Sequence, residues 1–354
     1  MKKKIASIAK KVRRSEPEQA PGRITNETVA EHRERILAGG RRFKYPIQYA
    51  RIRLIRNTVL LTLLAVILFG AFTWWQLYRQ QDTSGFFYRI TQILPLPVAK
   101  VDNESAPYSY YLLTLRSAMY YKQTNENVDF GNTDGKRQLS YLKRTSLNST
   151  IQYAYAVELA DQHHISVSDK EVSDFINQIR TQNKVSMDQN AFEASIYKFY
   201  GWSYDEFKDS TKAALLIKKV TREIDKAAAA KADDTLAKLK DGQDFTAVAK
   251  AVSDDPGVNQ TGGDQGPIAK DSTDPNGLNQ TATKMQVGQV SGVITGTDGY
   301  YILKLIDKND QTVHYARIFI AYKAFDQQLA ALKKDHKVQE YISVPTKVSP
   351  VQTN

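Results

Sequence analysis

A run of uncharged residues near the N-terminal end constrains most strongly what this chain can fold into. Residues 57–78 contain no charged side chain and are bounded by Arg56 and Arg79. As an α-helix the run would be about 33 Å long, which matches a bilayer hydrocarbon core of about 30 Å. Two tryptophans and a tyrosine stand at its C-terminal end, where amphipathic rings prefer the headgroup level. The run predicts one transmembrane helix, with a buried core helix as the alternative.

The net charge of +11 lies entirely before this run. Residues 1–56 carry 16 Lys and Arg against five Glu, so the rest of the chain is neutral. Because basic residues are enriched on the cytoplasmic side, we expect the N-terminus in the cytoplasm and the C-terminal domains outside the inner membrane. We interpret residues 1–56 as a largely disordered tail that contacts anionic lipid headgroups, with one helix over residues 27–38 ending at Gly39. We do not expect the folded part to bind nucleic acid. For the tail, nucleic-acid binding is the alternative to lipid contact.

Residues 79–97 follow the span and place apolar side chains on one helical face. We interpret them as a membrane-proximal collar that lies on the bilayer surface and ends at the Pro-Leu-Pro sequence of residues 95–97. The apolar face comprises Phe86, Phe87, Ile90, Ile93 and Leu94.

Residues 98–225 begin with a short alternating strand and continue with five amphipathic helical patterns. The helices are predicted over residues 108–121, 137–163, 168–183, 189–200 and 203–225. Residues 160–172 read A-D-Q-H-H-I-S-V-S-D-K-E-V, and residues 200–207 read Y-G-W-S-Y-D-E-F. These two segments resemble the N-terminal chaperone module of the SurA/PrsA-type foldases. The resemblance implies a helical module that holds unfolded or nascent exported polypeptides.

Residues 226–322 contain four ordered motifs. They are F-x-x-x-A-x-x-x-S-D-D at 245–255, G-G-D-Q-G at 262–266, G-Q-V-S-G at 288–292 and G-Y-Y-I-L-K at 299–304. The motifs resemble the parvulin-type (PpiC, rotamase) peptidyl-prolyl isomerase domain. The resemblance implies a small antiparallel sheet wrapped by short helices, and an α+β fold class for the chain as a whole.

The strand that opens a parvulin domain is missing from its expected place, because residues 218–225 read as a helix that runs straight on. Residues 313–320 are strand-like and follow a turn after residue 306. We predict a permuted sheet in which residues 300–306 and 313–320 form a hairpin and the second arm replaces the missing strand. The alternative is the start of a degenerate second isomerase repeat. Residues 323–354 are expected to form a helix over 325–342 that packs back on the helical module, and then a loose tail.

The resemblance also implies positions for the active site. Parvulins bind the proline ring with a Met and a Phe, and carry two His with a Cys or Asp. Position by position, Asp255 is retained, the two histidines fall on Tyr301 and Ile318, and the pocket Phe falls on Leu278, with the Met near Asp274. We therefore expect catalysis to be weak or lost. The alternative role of Asp255 is to form the turn before a proline.

The composition and the spacing of the histidines argue against a bound metal or cofactor. The chain has no cysteine, and none of its five histidines stands at a zinc-ligand spacing, so no metal or cofactor is predicted. The adjacent His163 and His164 are interpreted as a favourable helix-end contact. The Asp- and Asn-rich loop of residues 254–277 lacks the EF-hand order and its closing Glu, which argues against calcium.

These patterns together predict a single-pass, membrane-anchored, extracytoplasmic peptidyl-prolyl isomerase or foldase with a degenerate active site. The first alternative is a non-catalytic chaperone that keeps the parvulin fold only as a binding surface. The second is an envelope scaffold whose partner binds the cytoplasmic tail.

Overall fold

The computed structural model describes residues 25–44, 46–181, 187–272 and 274–346, which fall into two units, Met1–Phe72 and Thr73–Asn354. The first unit contains helix α1 (Asn26–Lys44) and most of helix α2 (Pro46–Trp74). The predicted end of the tail helix at Gly39 is wrong, because the helix continues to Lys44. A glycine costs only about 1 kcal/mol within a helix, so it need not end one. The expectation of disorder falls partly on residues 1–24, which lie outside the described residues.

One helix in the described part of the chain is long and apolar enough to cross a membrane. It spans Arg51–Gln80, with a mean hydropathy of 2.0, and its most apolar window is not buried by the protein. The last part, Trp75–Gln80, is a π-helical turn that ends at Gln81 in the left-handed region (φ 53°). Within this turn Leu77 is fully buried in the core of the second unit.

The collar forms helix α3 (Gly85–Ile93), but its apolar side chains do not share one environment. Phe87 is buried in the core, whereas Phe86 is 58% exposed and Ile93 is 80% exposed. The predicted single apolar face is therefore divided between the protein core and the surface.

Five helices follow, each close to its predicted range. They are α4 (Tyr108–Asn125), α5 (Thr133–His163), α6 (Asp169–Thr181), α7 (Gln189–Tyr200) and α8 (Tyr204–Ile224). The last two residues of the predicted third helix lie outside the described residues. Both α6 and α8 begin at a serine that exchanges hydrogen bonds with a glutamate three residues later, Ser168 with Glu171 and Ser203 with Glu206.

A three-stranded antiparallel sheet joins the start of this module to the C-terminal segment. Strand β1 (Pro97–Val101) lies between β2 (Glu104–Pro107) and a strand, β7 (Val338–Glu340), from the far end of the chain. The predicted C-terminal helix is too long, because the chain leaves the helix after Lys334 and pairs with β1 instead. The long-range ion pair between Arg144 and Glu340 (2.6 Å) holds this strand in place.

Helix α8 ends at Ile224, close to the predicted end at residue 225, and α9 (Lys226–Lys240) begins after Asp225, so the helix does not run straight on. Three short helices follow: α10 (Phe245–Val252), α11 (Val258–Thr261) and α12 (Leu278–Lys284). They surround a second sheet made of β3 (Asp264–Ala269), β4 (Ile294–Thr295), β5 (Gly299–Lys308) and β6 (Thr312–Ala321). Small antiparallel sheets beside many helices confirm the α+β class.

The second sheet has the order β3-β6-β5-β4 and is antiparallel throughout. Strands β5 and β6 form the predicted hairpin, and β6 lies in the middle of the sheet although it is the last of the four strands in sequence. Helix α13 (Ala324–Lys334) follows directly. Because β6 completes this sheet, it does not open a second repeat.

Candidate functional site

The register between β5 and β6 determines which side chains can share a site. Tyr301 lies opposite Phe319, and Ile302 lies opposite Ile318. Because successive side chains of a strand point to opposite faces, Tyr301 and Phe319 lie on the face that packs against α12. Ile318 lies on the other face, fully buried with residues of α9 and α10. The structure therefore does not bring Ile318 to the same site as Tyr301, contrary to the prediction.

Arg317 is the side chain of β6 that reaches the predicted aspartate. Its Nε donates a hydrogen bond to Oδ2 of Asp255 at 2.6 Å, and its guanidinium carbon lies 5.9 Å from the centre of the Tyr301 ring. Burial alone would lower the pKa of Arg317, but the hydrogen bond and the charge of Asp255 outweigh it and raise that pKa. The site therefore contains a permanent cation that is neutralised by its own carboxylate.

The loop that carries Asp255 runs along the part of β6 that extends beyond the end of β3. Backbone N–H of Asp254 donates to the carbonyl of Phe319 (2.7 Å), and Oγ of Ser253 accepts from the Phe319 N–H (3.0 Å). Oδ2 of Asp254 accepts from the N–H of Ala321 (3.1 Å). The first two residues of the S-D-D sequence thus satisfy the backbone of β6 where β3 has ended. Only the third, Asp255, points its carboxylate at a side chain of the candidate site.

Tyr301 is held by hydrogen bonds and by stacking. Its hydroxyl donates to Asp298 (2.9 Å to Oδ1), and the Asn276 amide donates to it at 3.3 Å. Its ring stacks on Phe319 with centroids 4.8 Å apart. Burial, and after it the Asp298 carboxylate, raises the pKa of Tyr301, so the phenol stays neutral. Because its one proton is directed at Asp298, the hydroxyl is not free to donate to a bound substrate.

Leu278 and Asp274 contribute to the packing and capping of helix α12 rather than lining an open pocket. Leu278 is the first residue of α12 and is 2% exposed, in the same cluster as Tyr301 and Leu303. Oδ2 of Asp274 accepts from the N–H of Asn279 (2.8 Å), an N-terminal capping arrangement. A 2%-exposed leucine offers almost no surface to a proline ring in this conformation.

The structure thus brings three of the four predicted residues to one face of the sheet: Asp255, Tyr301 and Leu278. Two residues that connect them, Arg317 and Phe319, are not among the predicted site residues. A signal was present, since Arg317 is the only arginine or lysine between residues 313 and 321 and stands two residues before an aromatic. The arrangement supplies an ion pair and a stacked aromatic pair, and it supplies no imidazole.

Two protein families match consecutive parts of the chain. Residues 50–221 match the SurA-like N-terminal domain, and residues 214–307 match the PPIC-type PPIase domain, or rotamase. The rotamase match ends inside β5, so the central strand β6 follows the matched segment. The sheet is thus completed by a strand that the matched sequence does not contain.

Curated proteins with related sequences are foldases. Foldase protein PrsA of Geobacillus kaustophilus is 26% identical over 188 residues, which cover 53% of this chain and 57% of that protein. Foldase protein PrsA of Caldanaerobacter subterraneus subsp. tengcongensis is 27% identical over 209 residues, which cover 54% and 64%. Foldase protein PrsA 4 of Bacillus cereus is 37% identical over 73 residues, which cover 21% and 26%. The chain therefore spans between about half and two thirds of the first two relatives.

Two solved structures are also similar to this chain. The foldase PrsA of Streptococcus pneumoniae is 22% identical and covers 58% of this chain and 77% of that one, with a TM-score of 0.19. The foldase PrsA of Lactococcus lactis is 14% identical and covers 68% and 85%, with a TM-score of 0.22.

Proposed function

We propose that this chain, which carries a SurA-like N-terminal domain followed by a PPIC-type PPIase domain, is a membrane-anchored foldase for exported polypeptides. The observation that carries the proposal is the succession of these two domains behind one membrane-length helix, Arg51–Gln80. The foldase names of the related proteins support the same function.

The basic tail and the apolar helix define the membrane part of the proposal. The helix would hold the chain in the cytoplasmic membrane through residues 57–78, with the tail in the cytoplasm near anionic headgroups and the two domains outside. A protease added outside sealed cells should then cleave the folded part and leave residues 1–56 protected. Protection of the folded part instead would contradict this orientation.

An isomerase must bind the twisted X–Pro imide better than the planar one, since rotation faces a barrier of roughly 20 kcal/mol. In this structure the groups at the predicted positions already bind one another: Asp255 binds Arg317, and Tyr301 binds Asp298. The Tyr301 proton is thus directed at Asp298 and not at an imide nitrogen, and the Asp255 carboxylate is already paired with the Nε–H of Arg317. We therefore propose weak or absent catalysis, with chaperone binding as the main activity.

A second function, the non-catalytic chaperone, is favoured by a specific observation. Leu278, at the position of the proline pocket, is only 2% exposed. In this alternative the rotamase fold supplies a client or partner surface and no rate enhancement. The two functions share client binding and differ only in the isomerisation step, so one assay separates them.

The experiment uses the full chain in vesicles of phosphatidylcholine and phosphatidylglycerol. We expect it to suppress aggregation of an unfolded protein at a near-equimolar ratio. We expect a refolding phase limited by X–Pro isomerisation to proceed at the rate observed in buffer, in the wild type and in Asp255→Ala alike. A large acceleration that Asp255→Ala abolishes would establish an active isomerase. Absence of any effect on aggregation would contradict the foldase proposal.

A further inference from the structure

A cavity of about 680 Å³ opens in the helical module. Helices α3, α4, α5 and α8 form its walls, together with the segment between α5 and α6. Its volume lies within the range of roughly 300–1,000 Å³ that is typical of ligand pockets. All the residues that line it fall within the SurA-like match, and none belongs to the membrane helix.

The cavity wall is rich in tyrosine. Tyr110 of α4 stacks on Tyr153 of α5, with ring centroids 4.6 Å apart and planes 28° apart, and Tyr88 lines the wall from α3. Burial raises the pKa of Tyr110 to about 12, so the phenol is neutral at physiological pH. Tyrosine faces offer a large, rigid contact area to apolar groups and a negative quadrupole to cations.

The charges around the cavity are unbalanced. Asp161 and Asp209 line it, and the one cation that lines it, Lys212, lies 2.9 Å from Asp169 outside it. Lys208 and Lys212 lie near enough to act on the charge of Asp209, but among the described residues neither Asp209 nor Asp161 forms an ion pair. Both residues are solvent-exposed and line the cavity, so an occupant can reach their carboxylates. An occupant that brings a positive charge would meet two carboxylates and electron-rich rings.

We propose that this cavity binds client segments in which an aromatic or aliphatic side chain stands next to a lysine or an arginine. The apolar side chain would pack against the Tyr110–Tyr153 pair, and the cation would lie between Asp161 and Asp209. This inference rests on the proposed foldase function and adds the client chemistry that the helical module selects. Acidic segments with the same apolar residues would be repelled by the two carboxylates.

The experiment compares two short fluorescent peptides with identical aromatic residues and either lysine or glutamate between them. Binding to the full chain in phosphatidylcholine vesicles is followed by anisotropy, with empty vesicles subtracted. An exposed ion pair contributes a factor of roughly 2 to 5 in affinity, so two such pairs predict about tenfold tighter binding of the lysine peptide. The preference should shrink as salt is added.

Matched variants test the residues. Asp161→Asn with Asp209→Asn should bring the lysine-to-glutamate preference close to one, whereas Asp134→Asn should leave it unchanged. Asp134 lies on the same helix as Asp161, pairs with Arg137 (2.5 Å) and does not line the cavity. Loss of preference in Asp134→Asn, or its persistence in the double variant, would overturn the proposal.

The aromatic wall is tested with Tyr153→Leu, which should weaken both peptides about equally. Tyr197→Leu is its control, because Tyr197 is 62% exposed and does not line the cavity. Circular dichroism confirms that each variant is folded, and the charge variants remain decisive if Tyr153→Leu is not. If both peptides bind equally well, the charge selectivity is refuted and the foldase function stands. If neither binds and aggregation is not suppressed, both fail.

Discussion

Nε of Arg317 lies 2.6 Å from Oδ2 of Asp255 and joins the central strand of the second sheet to the loop that follows α10. The side chain of Asp255 is only 10% exposed, and that of Arg317 is 30% exposed. The guanidinium also lies near the face of Tyr301, so it contacts two of the four predicted site residues. The pair therefore lies on the sheet face where the candidate site is predicted.

We predict that this pair contributes to stability rather than to isomerisation. Asp255→Ala leaves a half-buried cation without its partner, which should lower the free energy of unfolding by about 1–2 kcal/mol. Arg317→Met should cost a similar amount, and the double variant should cost less than the sum. Urea unfolding of the four proteins measures the coupling, with the exposed Asp271→Ala as a control. Strict additivity would show that the two residues act independently.

We predict that Asp225 stabilises the connection between the two domains and that this stabilisation depends on pH. Its carboxylate is 4% exposed and accepts three backbone N–H groups: those of Ala228, Lys323 and Ala324. Burial opposes ionisation, but these hydrogen bonds outweigh it and lower the pKa of Asp225. Asp225→Asn should cost about 2–3 kcal/mol at pH 7, because one carboxylate caps the starts of both α9 and α13.

The sign of the pH effect follows from the lowered pKa of Asp225. A carboxyl that is more acidic when folded stabilises the protein above its unfolded pKa, near 3.9, and this contribution is lost as the pH falls below about 4. The difference between the wild type and Asp225→Asn should therefore shrink in acid. Asp188→Asn is the matched control, since the exposed Asp188 caps α7 through one bond to Ala191 (2.9 Å). A constant difference between pH 7 and pH 3 would contradict the assignment.

Local patterns in the sequence were sufficient to predict most helices and the β5–β6 hairpin. Helix α7 was predicted at its observed bounds, because apolar periodicity and caps are properties of neighbouring residues. The hydrogen bonds that hold the helix break at Asp225 were not predicted, since two of the groups that bind its carboxylate come from residues 98 and 99 positions later. Strand β7 was missed for the same reason, because its partner is at the other end of the module.

The candidate site was predicted only in part because the register of its strands depends on pairing between distant residues. Aligning Ala316 and Arg317 with the A-R of a parvulin strand placed the histidine position at Ile318. A shift of one residue moves a side chain to the opposite face of a sheet, and sequence alone did not determine the register. The cross-strand pair of Tyr301 and Phe319 determines it in the structure.

We predict that the C-terminal end of the membrane helix stabilises the core of the second unit. Leu77 is fully buried, and the Tyr108 hydroxyl donates to its carbonyl at 2.5 Å. Leu77→Ala should therefore lower the stability of the extramembrane part by about 2–5 kcal/mol, whereas Leu64→Ala should have little effect, because Leu64 is 51% exposed. Thermal unfolding in vesicles measures both. Equal effects would show that the helix only anchors the chain.

We predict that the β5–β6 hairpin requires a glycine at position 299. A Cβ atom at this position would lie 2.2 Å from the carbonyl oxygen of Ile320 on the paired strand. Gly299→Ala must therefore push β5 and β6 apart, at a cost of about 3 kcal/mol. Gly292→Ala is the control, because a Cβ there meets nothing within 4 Å. Chemical unfolding of the two variants makes the comparison, and equal stability would refute the close approach.

The rotamase domain is predicted to need the strand that follows its matched segment. Strand β6 pairs with β3 on one side and β5 on the other, and it supplies Ile318 and Ile320 to the core against α9 and α10. A chain that ends at residue 310 loses the centre of its sheet and leaves both neighbours as edges. It should fail to fold in this region, as shown by rapid proteolysis within residues 226–310. A chain that ends at residue 323 keeps β6 and loses α13 and β7, so it should keep that region protected. Equal protection of the two truncated chains would show that the sheet does not depend on its last strand.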